Sequence, residues 1–128
     1  MRDLNPDSWP RPRGYSNGIE AQGRFVFVAG MIGWDSQGRF ADGFVAQFEQ
    51  VLRNTVAVLA EANAGPEHVV RMTWYVKDLD AYRDNLRGIG AAYRDVMGRS
   101  FPTMAVVGVS DLVEPEALLE IETTAVIP

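Results

Sequence analysis

The stretch His68-Val69-Val70-Arg71-Met72-Thr73-Trp74-Tyr75-Val76 decides the fold. On an extended chain Val70, Met72, Trp74 and Val76 share one side, and Val69, Arg71, Thr73 and Tyr75 share the other. β-branched and aromatic residues dominate, so the run is expected to be a strand with one apolar and one mixed face. The hydrophobic period then changes. Asp78 opens a helix with the stripe Leu79, Tyr82, Leu86, Ile89, Tyr93 and Met97, ending at Gly98. Upstream, Asp42 is the expected N-cap of another helix carrying Phe44, Phe48, Val51, Leu52, Val56 and Leu59, stopped by Ala64-Gly65-Pro66.

Further out lie short β-prone runs. Residues 16–21 and 24–30 are separated by Gln22-Gly23, which suits a hairpin. Residues 103–109 and 118–126 are divided by a loop containing Pro115. The proline-rich residues 6–13 favour an extended path, so 1–13 reads as an arm on a single domain spanning 1–128. The resulting order, ββαβαββ, is an α+β sandwich with two helices on one face of a mixed sheet. Residues 24–30 and 103–109 are apolar at nearly every position, so the sheet's other face also needs a cover. No segment remains to supply it, and a second copy of the chain is expected there, in an obligate interface.

Composition narrows the chemistry. With 128 residues, 47% of them hydrophobic, the chain is large enough for one core, with an expected folded surface of ~6,800 Å². The absence of cysteine removes thiolate nucleophiles, disulfides and zinc–thiolate sites, and a single histidine, His68, cannot build a histidine-rich metal centre. A net charge of −5, with no run of Lys and Arg, argues against nucleic acid as a partner. The apolar run from Phe25 to Trp34 is too short for a membrane span. The first residues lack the apolar core of a secretory signal, so a cytoplasmic protein is the default expectation.

Several short motifs then resemble one family in order and spacing: Gly14-Tyr15-Ser16-Asn17-Gly18, Phe27-Val28-Ala29-Gly30, Val76-Lys77-Asp78-Leu79, Phe101-Pro102 and Glu120-Ile121-Glu122. Together they resemble the reactive intermediate deaminase (RidA, or YjgF) family across nearly the whole chain. The resemblance implies a chorismate-mutase-like fold, a homotrimer, and clefts between subunits that bind small carboxylate compounds. It implies hydrolysis of enamines or imines to carbonyl compounds and ammonia, with no cofactor. On matching positions, Tyr15 lines the pocket, the backbone at Gly30 contacts ligand, and Glu120 orients water or shuttles a proton.

This chain departs from the pattern after Phe101-Pro102. Active members continue Ala-Arg, and that arginine clamps the substrate carboxylate; here Thr103-Met104 stands instead. A charge-assisted hydrogen bond is worth ~1.5–3 kcal/mol, so its loss is expected to weaken binding of simple substrates roughly ten- to a hundredfold. Val106 and Ala29 stand where active members often carry Cys and Ser, making the pocket more apolar. Arg11, Arg13, Arg71 and Arg87 are candidates to supply the missing cation, and Met104, Val106, Gly30 and Arg87 are the expected ligand-binding residues. Glu122 shares the face of Glu120.

The leading reading is therefore a deaminase-like protein acting on a small, partly apolar enamine or imine, such as an aminomuconate-type compound. Its alternative is a non-catalytic module that senses or sequesters a metabolite. An RNA-cleaving activity, sometimes attached to the family, fits the charge badly. His68 reads as a loop or strand-end residue, Gly88-Ile89-Gly90 as part of a helix rather than a phosphate cradle, and Trp9, Trp34 and Trp74 as packing residues.

Overall fold

The strand expected at 68–76 forms over Val69–Val76, inside the sheet that organises the molecule. The computed structural model covers residues 1–128. Its elements are β1 (Arg2–Leu4), β2 (Gly18–Glu20), β3 (Arg24–Met31), α1 (Phe44–Ala60), β4 (Val69–Val76), α2 (Leu79–Asp84), α3 (Leu86–Met97), β5 (Thr103–Gly108) and β6 (Leu119–Ile127). The main sheet has four strands in the order β3-β6-β4-β5. β6 is antiparallel to both neighbours, while β4 and β5 run parallel, as a helical crossover requires.

The three helices cover one face. Phe48, Val51, Leu52 and Leu59 from α1 meet Met72, Trp74 and Val76 from β4 and Leu119 and Ile121 from β6 in one buried cluster. Gln47 is the polar member of this layer. Its Nε2 donates to the Glu116 carbonyl and its Oε1 accepts from the Leu118 N–H, so the buried amide is satisfied and fixes the entry into β6 just before Glu120. Lys77 holds the preceding loop by donating to the Pro115 carbonyl at 3.0 Å.

Three local expectations are corrected. Residues 16–21 and 24–30 do not form a hairpin, because β2 pairs with β1 while β3 pairs with β6 from Arg24 onward. A two-residue type I′ turn needs positive φ at both central positions. Gly23 has it, but Asn63 is the only non-glycine residue that does, so Gln22 does not. Arg2 of the arm pairs with Glu20 both in register and by a 2.7 Å ion pair, which tethers the arm. The N-cap of α1 is Gly43 at φ 92°, not Asp42. The second helix is broken at Asn85, whose side chain donates to the Ala81 carbonyl at 2.6 Å and diverts an acceptor that a continuous helix would use. Asp78 does cap α2, accepting from the N–H groups of Asp80 and Ala81.

The uncovered face also differs in detail from expectation. Its edge strands are apolar: Phe25 and Phe27 on β3 are 58% and 73% exposed, and Val107 on β5 is 39% exposed. Its two inner strands are polar, because the register aligns Thr73 with Glu122 and Tyr75 with Glu120. The face is thus an oily frame around a polar centre.

Candidate functional site

Two of the motifs quoted above meet. The Ser16 N–H donates to the Pro102 carbonyl at 3.0 Å, and the Ser16 hydroxyl donates to the Phe101 carbonyl. Tyr15 is thereby pinned beside Phe101 at the start of β5. From there a groove of about 600 Å³ runs between β5 and α3, with Tyr15, Met104 and Val106 in its wall. Met104 and Val106 lie opposite Met72 and Trp74 in the parallel register, on the helix-covered face. Aromatic rings make much of the lining: Trp74 sits 6.3 Å from Tyr82 and 6.4 Å from Tyr93, and Tyr93 stacks on Phe101 at 5.9 Å.

Tyr93 donates its hydroxyl to the Ser100 carbonyl, and burial pushes its ionisation well above the ordinary tyrosine range. It is a neutral, fixed ring. Trp74 is 4% exposed and its indole N–H has no acceptor within the protein.

Gly30 and Glu120 form a separate pair on the other face. Strand β3 shifts register between Val28 and Met31, and the Glu120 carboxylate lies over Gly30. A Cβ added at Gly30 would come within 2.1 Å of Glu120 Oε2, so only glycine leaves the carboxylate this position. Next to it, the Tyr75 hydroxyl donates to Glu122 Oε1 at 2.6 Å, which raises the tyrosine pKa.

The expected site residues therefore fall into two halves. Tyr15, Met104 and Val106 share the groove, whereas Gly30 and Glu120 share the exposed face. Of the four arginine candidates, Arg13 lines the groove, Arg11 lines a neighbouring hollow near the N-terminus, and Arg71 faces Glu122 and Phe27 across a small pocket on the open face. Arg87 is exposed and lies outside the groove. Sequence reasoning missed Arg94, which also lines it. No sequence signal marked it; only in the structure does Leu86, which continues the helical stripe, prove 54% exposed at a stretch of α3 that faces the cavity rather than the core. His68 accepts from the Gly65 N–H through Nδ1 and caps a short turn, as a loop residue would. No group of three or more metal-ligating side chains comes together, and no helix is long and apolar enough to cross a membrane.

This α+β architecture coincides with that of one family. Residues 9–127 match the family model described as Endoribonuclease L-PSP. A RutC family protein of Aquifex aeolicus is 33% identical over 128 residues, covering 98% of this chain and 99% of that protein. The crystal structure of the Rid-family protein YyfB from Yersinia pestis superposes with a TM-score of 0.86 at 34% identity, covering 98% of each chain. RidA from an Antarctic Psychrobacter superposes at 0.71 with 26% identity, covering 99% of this chain and 100% of that one. The chain belongs to the RidA/YjgF/RutC family.

Proposed function

We propose that the protein hydrolyses a small reactive enamine or imine to a carbonyl compound and ammonia, in clefts between the subunits of a homotrimer. The observation that carries this reading is the division of the site residues between opposite faces of one sheet. Tyr15 and Glu120 of the same chain cannot meet across that sheet, whereas one copy's Glu120 can approach another copy's groove. Family membership supports deaminase-type chemistry. The surface supports assembly: the chain exposes 7816 Å², about 1,000 Å² more than the ~6,800 Å² expected of a monomer of this mass. Apolar Phe25, Phe27 and Val107 are a large part of what an adjoining copy would cover.

The reaction needs little from the protein. Water adds to the carbon of C=N, its proton passes to nitrogen, and the C–N bond then breaks, leaving C=O and ammonia. Glu120, held over Gly30, is suited to orient that water and accept its proton. Tyr15 is suited to bound the substrate and donate its hydroxyl.

Ammonia release from freshly generated 2-aminoacrylate or 2-aminomuconate tests the reading. The purified protein is expected to accelerate one of them, and Glu120→Ala is expected to abolish the acceleration; no acceleration of either, with the variant indistinguishable, would overturn it. Met104→Arg is expected to strengthen binding of simple 2-oxo acids, and unchanged affinity would show that Met104 does not face the ligand.

A further inference from the structure

We propose that Arg13 and Arg94 together replace the missing arginine at position 104 as the carboxylate clamp, and that the groove selects carboxylates with an aromatic or bulky apolar body. The proposal deepens the deaminase reading by naming its substrate class, although the binding it predicts does not require turnover.

The electrostatic observation is a contrast among arginines. Arg2, Arg39, Arg53 and Arg83 each pair with a carboxylate between 2.7 and 3.6 Å. Of the seven arginines that make no such pair and no side-chain hydrogen bond, only Arg13 and Arg94 line the groove. They arrive from different elements, Arg13 from the strap before Tyr15 and Arg94 from α3. In a helix a side chain leans toward the preceding turn, and Arg94 does so: its Nη1 is 3.6 Å from where a Cβ at Gly90 would stand.

Trp74 also contributes to the groove wall. Two free guanidinium groups make a pair of donors with no internal anion, matched to a carboxylate.

The remaining walls define the body of the ligand. Tyr15, Tyr82, Tyr93, Phe101, Leu86 and Met104 offer aromatic faces and apolar edges in about 600 Å³, far more room than a three-carbon acid fills. A short 2-imino acid would leave that surface wet, whereas an aryl-bearing one would cover it while its carboxylate stays at the arginines.

Calorimetric titration with phenylpyruvate and pyruvate, stable 2-oxo counterparts of the two kinds of imine, tests the proposal on the full-length protein. Phenylpyruvate is expected to bind at least about tenfold more tightly than pyruvate. Arg94→Gln and Arg13→Gln are each expected to weaken phenylpyruvate by about tenfold or more, while Arg39→Gln, whose arginine pairs with Asp35, leaves it unchanged. Equal affinity for the two acids, or wild-type affinity in either groove variant, would overturn the proposal. If phenylpyruvate binds through the arginines but no imine is hydrolysed, the clamp stands and the deaminase reading falls. If 2-aminoacrylate is hydrolysed and phenylpyruvate does not bind, the clamp falls and the deaminase reading stands.

Discussion

The two faces of the main sheet carry side chains of opposite fate. On the helix-covered face, Met72, Val76, Leu119 and Ile121 are each at most 1% exposed. On the other face, Phe27 is 73% exposed while Glu120, Glu122 and Tyr75 occupy the middle. Alternation along each strand produces both faces from the same residues of backbone, so one sequence builds a fold on one side and a half-site on the other. The core lies on the covered face alone, whereas the candidate site has one half at the groove beside that core and the other on the open face, and substitutions should sort accordingly.

The largest effect is expected on the covered face. Phe48 is fully buried against Trp74, with ring centroids 4.9 Å apart. Phe48→Ala should cost about 3–5 kcal/mol in denaturant unfolding; a loss within the range of a surface substitution would mean the core is elsewhere.

On the open face, Phe27→Asp should leave each subunit folded yet break the assembly, lowering the sedimenting mass. An unchanged mass would show that the apolar frame around the polar centre is not an interface. Gly30→Ala is a subtler change to the same face. It forces the Glu120 carboxylate aside and should lower turnover on the order of a hundredfold, the scale of a lost general acid–base group, with the unfolding midpoint little altered. Wild-type turnover would dissociate Glu120's position from catalysis.

The smallest effect concerns Tyr75. Its hydrogen bond to Glu122 raises the pKa above the ordinary value near 10.0. The stabilisation it brings is therefore complete below pH 10 and lost as pH rises through the higher folded value. Ultraviolet titration of tyrosinate should show a late-ionising group that Tyr75→Phe deletes while the other late group, Tyr93, persists.

What was legible in the sequence follows the same division. Alternation at 69–76 and the three-to-four spacing from Phe44 to Leu59 fixed which residues face the core, because burial of those side chains outweighs local detail. The break at Asn85 was illegible in the stripe, since Leu79, Tyr82, Leu86 and Ile89 keep their spacing through it; only the competing side-chain amide interrupts the helix. The pairing of Gly18–Glu20 with Arg2–Leu4 was hidden for a different reason. Gln22-Gly23 has hairpin composition, but its glycine stands second, where a type II′ turn has no use for it, and glutamine has not adopted the positive φ a type I′ turn demands.

Which candidate residues come together was legible mainly in and just after the motifs. Tyr15, Gly30 and Glu120 stand in quoted motifs, and the structure sets Tyr15 in the groove wall and Gly30 against the Glu120 carboxylate. Arg94 carries no motif, and its relation to the groove arises from the crossover that brings α3 alongside β5. Among the arginines named from sequence, only Arg13 reached the groove, because nothing local distinguishes it from Arg87.

The central claim is that the half-site at Tyr15 and the half-site at Glu120 meet only between copies. The chain has no native cysteine, so a Tyr15→Cys, Glu120→Cys double variant treated with a short bis-maleimide tests it directly. The account predicts covalent linkage between chains, seen as dimers and larger species on a denaturing gel, with each single variant giving far less. Linkage confined within one chain, or a monomer that does not cross-link at all, would contradict it.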